Sequence, residues 1–219
     1  MTKFKALMID LDNCLYPYFP CNEAGMNAVY DILMEKINKP RSELEKLFLE
    51  SRKKVKSTII NNGSSHSRLL YFQILTENIF GKTNLFLALE LNDIFWKNYL
   101  SNINLYEGVL EFFEFIKSKN VKIVIVTDLT VAIQIRKLIF LNLDKYIDFL
   151  VTSEESGVDK PNSKIFEIAL SKLGVNKEET IMFGDSLEKD VKGAESFGIK
   201  AILTNKNTFE DEKIREYFG

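Results

Sequence analysis

Four short stretches of this chain carry residues that can do chemistry together. Asp10 and Asp12 stand one residue apart, directly after the apolar run at residues 4–9. Thr127 and Asp128 follow the run Val121-Lys122-Ile123-Val124-Ile125-Val126. Asp159-Lys160-Pro161 lies a few residues beyond Ile147-Asp148-Phe149-Leu150-Val151. Gly184-Asp185-Ser186 follows Thr180-Ile181-Met182-Phe183, and Asp190 comes five residues after Asp185. Two carboxylates as close as Asp10 and Asp12 repel unless a cation or a shared proton relieves them. The simplest reading of the pair is a metal site that contains a nucleophile.

Each residue type has a task in phosphoryl transfer. A carboxylate can attack phosphorus and form an acyl phosphate. A second, protonated carboxylate can donate to the leaving oxygen and later accept a proton from water. A divalent cation neutralises charge between carboxylates and phosphoryl oxygens, and Mg²⁺ suits because it accepts a few carboxylates and keeps its waters. A threonine hydroxyl and backbone N–H groups at a helix start can hold phosphoryl oxygens. A lysine supplies the remaining positive charge at the transition state.

The elements that must position these residues can be read from pattern. Apolar runs near residues 4–10, 121–126, 147–151, 180–183 and 201–203 read as buried parallel strands. They alternate with helical stretches near 108–119, 130–141, 162–173 and 187–197, and a short helix follows the last strand. Strands that alternate with helices imply a parallel sheet with crossovers, an α/β fold of Rossmann-like, doubly wound type. In such a sheet ligands bind beyond the carboxyl ends of the strands. That edge is where all four polar stretches fall, so they should converge on one crevice.

Between residues 22 and 100 the texture is helical. Helices are expected at about 23–37, from Ser42 into the mid-50s, at about 67–79 ended by Gly81, and from Thr83 as N-cap to about Tyr99. Ser42-Glu43-Leu44-Glu45 has the form of a capping box. Residues 14–22, with Pro17 and Pro20, read as an irregular flap because prolines stop regular pairing. A block this long is no mere connection. The expected division is a core of residues 1–15 and 101–219, with a four-helix cap of residues 16–100 and a flap at about 13–22.

Composition narrows the function classes. The chain has 219 residues, 46% hydrophobic and 27% charged, with a formal net charge of −2. That charge gives no support to binding of a nucleic-acid polymer or an anionic membrane surface. Arg52-Lys53-Lys54 reads as a solvated helix face. His66 is the only histidine, which excludes a histidine-rich metal site. Cys14 and Cys21 do not have a metal-binding or redox spacing, so a reducing compartment fits. The apolar run behind Lys3 and Lys5 is too short for a signal peptide, and no stretch approaches a membrane span. A cytoplasmic protein, monomeric or weakly dimeric, is expected.

Together, Asp10-Leu11-Asp12, Thr127, Lys160-Pro161 and Gly184-Asp185 with Asp190 resemble the four motifs of the haloacid dehalogenase superfamily in order and spacing. The likeness spans nearly the whole chain, and the helical insert resembles that superfamily's cap between its first and second motifs. The resemblance implies that Asp10 is the nucleophile and a Mg²⁺ ligand. It implies that Asp12 is the general acid and base, with its backbone carbonyl on the metal. Thr127 and the N–H of Asp128 would bind phosphoryl oxygens, and Asn13 joins them as a candidate substrate-binding residue. Lys160 would hold both Asp10 and the phosphoryl group. Asp185 would ligate the metal, with Asp190 supporting it. Where the superfamily most often has Thr or Val two residues after the second aspartate, this chain has Cys14, which places a thiol open to oxidation near the site.

The implied activity is Mg²⁺-dependent hydrolysis of a small phosphate monoester through an aspartyl-phosphate. Residues 12–17 are similar to the start of the superfamily's pyrimidine 5′-nucleotidases, so a nucleoside 5′-monophosphate is the expected substrate among small phosphorylated metabolites. A phosphomutase shares the aspartate pair. A 2-haloacid dehalogenase needs no acid two residues after the nucleophile. A catalytically inactive phosphate-binding module would have lost one of the two carboxylates. In the insert, His66 and Arg68 are read either as leaving-group contacts or as an exposed polar loop, and Tyr71 and Phe72 either as packing or as a base-stacking surface.

Overall fold

The computed structural model describes residues 4–219; Lys3 lies outside them. The chain divides into two compact units, one of residues 1–17 and 104–219 and the other Tyr18–Ile103.

The first unit is built on a five-stranded, all-parallel sheet in the order β3-β2-β1-β4-β5. Its strands are β1 (Ala6–Ile9), β2 (Lys122–Thr127), β3 (Phe149–Thr152), β4 (Thr180–Gly184) and β5 (Lys200–Leu203). All four residues of β1 are buried. This is why its sequence is continuously apolar rather than alternating. Register then fixes the chemistry. Ile9 pairs with Ile125 on one side and with Phe183 on the other. The residues that follow, Asp10, Thr127 and Asp185, therefore emerge at one end of neighbouring strands.

One face of the sheet packs Ala6, Met8, Val124, Val126 and Met182 against Ile165, Phe166, Ala169, Leu173, Ala194 and Ile199. These come largely from α8 (Ser163–Leu173) and α9 (Lys192–Phe197). On the alternate positions, the ring of Phe183 stacks on Phe112 at 5.8 Å and meets Phe218 at 6.2 Å. Phe112 belongs to α5 (Val109–Ser118), and Phe218 ends a tight helical segment, Glu212–Phe218. The crossover between β2 and β3 is α6 (Val131–Phe140). A single helical turn, α7 (Ser153–Ser156), follows β3.

The second unit holds α1 (Tyr18–Ile37), α2 (Arg41–Thr58), α3 (Arg68–Phe80) and α4 (Leu85–Ser101). Helix α1 packs on α4, and α3 packs on both α2 and α4. Gly25 is what permits the first contact: a Cβ there would lie 2.8 Å from the Phe95 ring and 2.9 Å from the Phe95 carbonyl oxygen. The core is aromatic, with Phe95 touching Phe72, Trp96 and Tyr99. Tyr71 and Phe72 are fully buried, so neither offers a stacking surface. Arg52, Lys53 and Lys54 are exposed on α2, as the solvated-face reading requires.

Three local expectations change. The flap expected over residues 14–22 ends at Tyr18, where α1 begins. Pro20 sits in the first helical turn, where the missing N–H has no intrahelical acceptor in any case. The Ser42 capping box does not form, because the N-cap position falls two residues earlier, at Pro40, with no side-chain cap. The last helix of this unit is capped by Asn84, whose Oδ1 accepts from Leu87 N, while the Thr83 hydroxyl turns to Glu77. At the last of these, two adjacent residues could serve as the cap and Asn84 took the role. Gly81 does close α3 in the left-handed conformation (φ 68°).

Candidate active site

The four sequence stretches do meet at one end of the sheet. The backbone N–H of Asp10 donates to Phe183 O at 2.9 Å, which ties the end of β1 to β4. Lys160 is 3% exposed and stands at the centre. Its ammonium donates to Asp10 Oδ1 at 2.8 Å, to Asp190 Oδ1 at 2.6 Å and to Val126 O at 2.9 Å. Three N–H bonds meet three acceptors, so the group is saturated. Burial works against the charge on Lys160, but Asp10, Asp190 and Asp128 outweigh it and hold its pKa well above the usual lysine value.

Burial dominates at Asp10 and pushes its carboxyl well above the usual carboxylate range; Lys160 opposes this, while Asp190 and Asp12 add to it. Asp185 is also raised, mainly by burial and then by Asp190, although the Asn13 amide donates to its Oδ2 at 2.9 Å. Asn13 reaches it from a left-handed backbone conformation, φ 66°. The remaining oxygen of Asp190 accepts from the Ser186 N–H at 2.9 Å. Asp190 thereby pins the loop after β4, and Gly184 is needed there because any Cβ would collide with the Asp190 side chain.

Carboxylate oxygens of Asp10, Asp185 and Asp190 all lie within 4.8 Å of one another, a grouping that could hold a metal ion. The donor set fits a hard divalent cation. It offers oxygen ligands only, and three carboxylates against one ammonium leave a surplus of two negative charges.

Thr127 and Asp128 sit beside this cluster. Thr127 is 1% exposed, and its hydroxyl donates to Asp128 O and accepts from Gln134 Nε2 at 2.7 Å. Asp128 accepts from Lys160 N at 3.0 Å on one oxygen and from Lys189 Nζ at 2.7 Å on the other.

Asp12 is held apart from the three-carboxylate group. Its Oδ1 accepts from Lys137 Nζ at 2.5 Å and from the Tyr16 hydroxyl, and its Oδ2 accepts from Gln134 Nε2 at 2.9 Å. Burial raises its pKa, but Lys137, Tyr16 and Gln134 together outweigh burial and hold it below the usual carboxylate value. A tight turn carries these groups: Leu15 N donates to Leu11 O, and Asp12 bridges to Tyr16.

Cys14 is fully buried, with its Sγ 3.2 Å from Thr204 Oγ1. Burial, then Asp10, pushes its thiol well above the ordinary range. The thiolate is the species that oxidises readily, so the site argues against an oxidation-prone thiol.

His66 and Arg68 lie in the helical unit. Arg68 donates to the Tyr18 hydroxyl at 2.6 Å and to Asn22 Oδ1 at 2.9 Å, with its guanidinium 5.1 Å from the Phe95 ring centre. That is a half-buried network, not an exposed loop.

Sequence reading missed Tyr16, Gln134, Lys137 and Lys189. For Gln134 and Lys137 a signal did exist. They share one side of α6 with Leu138 and Leu141 and are buried, while Val131, Ile135 and Ile139 are exposed. Polar residues on the buried stripe of a helix whose apolar residues face water mark a side chain with a specific partner.

The family model for haloacid dehalogenase-like hydrolases matches residues 4–198. The chain is 36% identical over 207 residues to a ribulose-1,5-bisphosphate 5-phosphatase from Halopiger xanaduensis, which covers 94% of this chain and 87% of that protein. It is 28% identical to a glyceraldehyde 3-phosphate phosphatase from Methanothermobacter thermautotrophicus, over 95% of this chain and 89% of the relative. Among solved structures, a haloacid dehalogenase-type phosphatase from Thermococcus onnurineus superposes with a TM-score of 0.74 at 27% identity, covering 93% and 87% of the two chains. A 2-haloacid dehalogenase from Pseudomonas syringae gives 0.75 at 22% identity, over 91% and 86%, which is likeness of fold. The chain belongs to the haloacid dehalogenase-like hydrolases, and it is an enzyme of that family.

Proposed function

We propose that this hydrolase is a phosphatase that cleaves the phosphate monoester of a small phosphorylated carbohydrate. The observation that carries the reading is the Lys160 ammonium shared between Asp10 and Asp190, with Asp185 beside them. That arrangement keeps one carboxylate oriented for attack and leaves negative charge for a cation to balance.

In this reading Asp10 attacks phosphorus, and the P–O bond to the leaving group breaks. Asp12 gives its proton to the departing oxygen, leaving an aspartyl-phosphate on Asp10. Asp12, now a carboxylate, takes a proton from water as that water attacks phosphorus, and Asp10 is released. Each role of Asp12 follows from the other by reversibility. The structure's hydrogen bonds to both Asp12 oxygens correspond to its carboxylate form. The Thr127 hydroxyl and the Asp128 N–H hold phosphoryl oxygens, and Lys160 balances their charge. Asp10, Asp185 and the Asp12 backbone carbonyl would hold Mg²⁺, which supplies positive charge to the phosphoryl group. Asp190 orients Lys160 and the loop after β4. The helical unit, inserted directly after the first motif, serves as the cap that selects the substrate.

The choice of substrate class rests on relatives matched over most of the chain, a ribulose bisphosphate phosphatase and a glyceraldehyde phosphate phosphatase. The nucleotide reading rests on residues 12–17. In the structure those residues are occupied locally: Tyr16 bonds Asp12, and Cys14, Leu15 and Tyr16 are fully buried. A dehalogenase would need no second carboxylate at Asp12, and an inactive module would lack one of the pair.

The test is turnover of p-nitrophenyl phosphate with and without EDTA, then a panel of sugar phosphates against nucleoside monophosphates. Metal-dependent turnover with sugar phosphates preferred is expected. Activity indifferent to EDTA, or a preference for nucleotides, would overturn the corresponding part. Asp10→Asn should abolish turnover while leaving the circular dichroism spectrum unchanged, since the amide cannot attack; an active variant would exclude Asp10 as nucleophile.

A further inference from the structure

Gln134 and Lys137 are fully buried and three residues apart on α6. No role in the motifs falls to them. Lys137 is 2.5 Å from Asp12 Oδ1, and its ammonium lies 5.9 Å from the centre of the buried Tyr16 ring. Gln134 uses one amide nitrogen for Asp12 Oδ2 (2.9 Å), Thr127 Oγ1 (2.7 Å) and Asp128 O (2.8 Å). Its Oε1 is buried without a hydrogen-bond partner. Two amide hydrogens thus serve three acceptors while the amide oxygen stays unpaired, an arrangement that calls for an explanation.

Stability alone does not account for the pair. Desolvating an ammonium costs several kcal/mol, and a buried ion pair is often no better than apolar residues of similar volume. What these residues do achieve is geometric. Asp12 sits on a turn after β1, and Thr127 ends β2. Gln134 bonds both, and Lys137 bonds the other oxygen of Asp12, so one rigid helix face sets where the carboxylate stands relative to the threonine hydroxyl.

We propose that Lys137 and Gln134 are positioning residues that hold the Asp12 carboxyl group in register with Thr127, so that the proton donor and acceptor meets the leaving oxygen of a phosphoryl group bound at Thr127. The inference rests on the reading of Asp12 as acid and base. It concerns the orientation of that group.

Phenyl phosphate and p-nitrophenyl phosphate separate the possibilities, because phenolate is the poorer leaving group and needs the proton more. With enzyme in excess over substrate, the first release of phenol or nitrophenol reports only the phosphorylation half-reaction. Lys137→Met is expected to slow phenol release by roughly 10²-fold, within the range for a general acid, and nitrophenol release by less than about threefold. Asp12→Asn should show the same selectivity. The double variant should be no slower than Asp12→Asn, since residues acting through one group are not additive. Lys137→Arg should recover part of the phenol rate.

Equal slowing of both substrates by Lys137→Met, or no slowing, while Asp12→Asn remains selective, would overturn the role of Lys137 and leave that of Asp12 standing. Loss of selectivity in Asp12→Asn itself would remove the reading of Asp12 and this inference with it. If Lys137→Met fails to fold, Gln134→Leu carries the same comparison with the same expected selectivity.

Discussion

Lys160 is the residue on which most of the site's geometry depends. It is buried, and its ammonium pairs with two carboxylates, Asp10 just after β1 and Asp190 in the helical segment Leu187–Val191, while its backbone N–H holds a third. Breaking a buried pair by removing one partner leaves an uncompensated charge and costs about 3–5 kcal/mol. Lys160→Met should therefore lower unfolding free energy in urea by an amount in that range when measured in EDTA, and should abolish turnover. A variant with wild-type stability would show that Asp10 and Asp190 shed their charge at no cost, and that the ammonium is not what holds them. Asp12 has the opposite environment. Three donors hold it as a carboxylate, while burial pushes Asp10 and Asp185 towards protonation. The two carboxyls of the proposed reaction therefore stand in different surroundings, Asp12 among donors to both its oxygens and Asp10 buried beside Lys160.

At the scale of elements, the site is made by strand register and by close approaches behind it. Helix α9 comes near enough to the residue after Lys160 that a Cβ at Gly193 would lie 2.9 Å from Pro161 Cβ and 3.1 Å from Pro161 Cα. Neither is the end of a flexible side chain, so the backbone at Pro161 must yield. Gly193→Ala is expected to cost about 1–3 kcal/mol by overpacking. It should also lower turnover of p-nitrophenyl phosphate, because the strain falls on the peptide that presents Lys160. Urea unfolding and steady-state kinetics of the same preparation check both. Normal turnover with reduced stability would mean that the loop absorbs the shift without moving the ammonium. Helix α6 contributes in a different way, since its buried stripe carries Gln134 and Lys137 beside Leu138 and sends both polar side chains to Asp12.

At the scale of the molecule, a chain of net charge −2 gathers three carboxylates around one ammonium at the end of its central sheet. Folding must hold that surplus together, and a ligand that binds only the folded form stabilises it by mass action. Millimolar MgCl₂ is therefore expected to raise the melting temperature in a saturable way, and EDTA to lower it. Asp185→Asn, which removes one negative charge and one oxygen ligand, should blunt that shift. A Mg²⁺ response unchanged in Asp185→Asn would place the ion elsewhere. Among the described residues no helix is long and apolar enough to cross a membrane.

The strands, their parallel sense and the convergence of Asp10, Asp12, Thr127, Lys160 and Asp185 could be read from the chain itself, whereas the order of the strands could not. Continuous apolar runs bury on both faces, and residues just beyond such runs must emerge at one edge. Helix ends were less legible, as Tyr18, Pro40 and Asn84 show: a proline can sit in a first turn or just before it, and adjacent residues such as Thr83 and Asn84 can each serve as a cap. Which donor meets which carboxylate was decided by tertiary structure alone. Lys137 and Asp12 are joined only because α6, in the crossover from β2 to β3, turns its buried polar residues towards the turn after β1, and no linear spacing records a bond between residues 125 positions apart. The composition of the site is local, carried by short segments; its wiring is not, because hydrogen bonds form between neighbours in space.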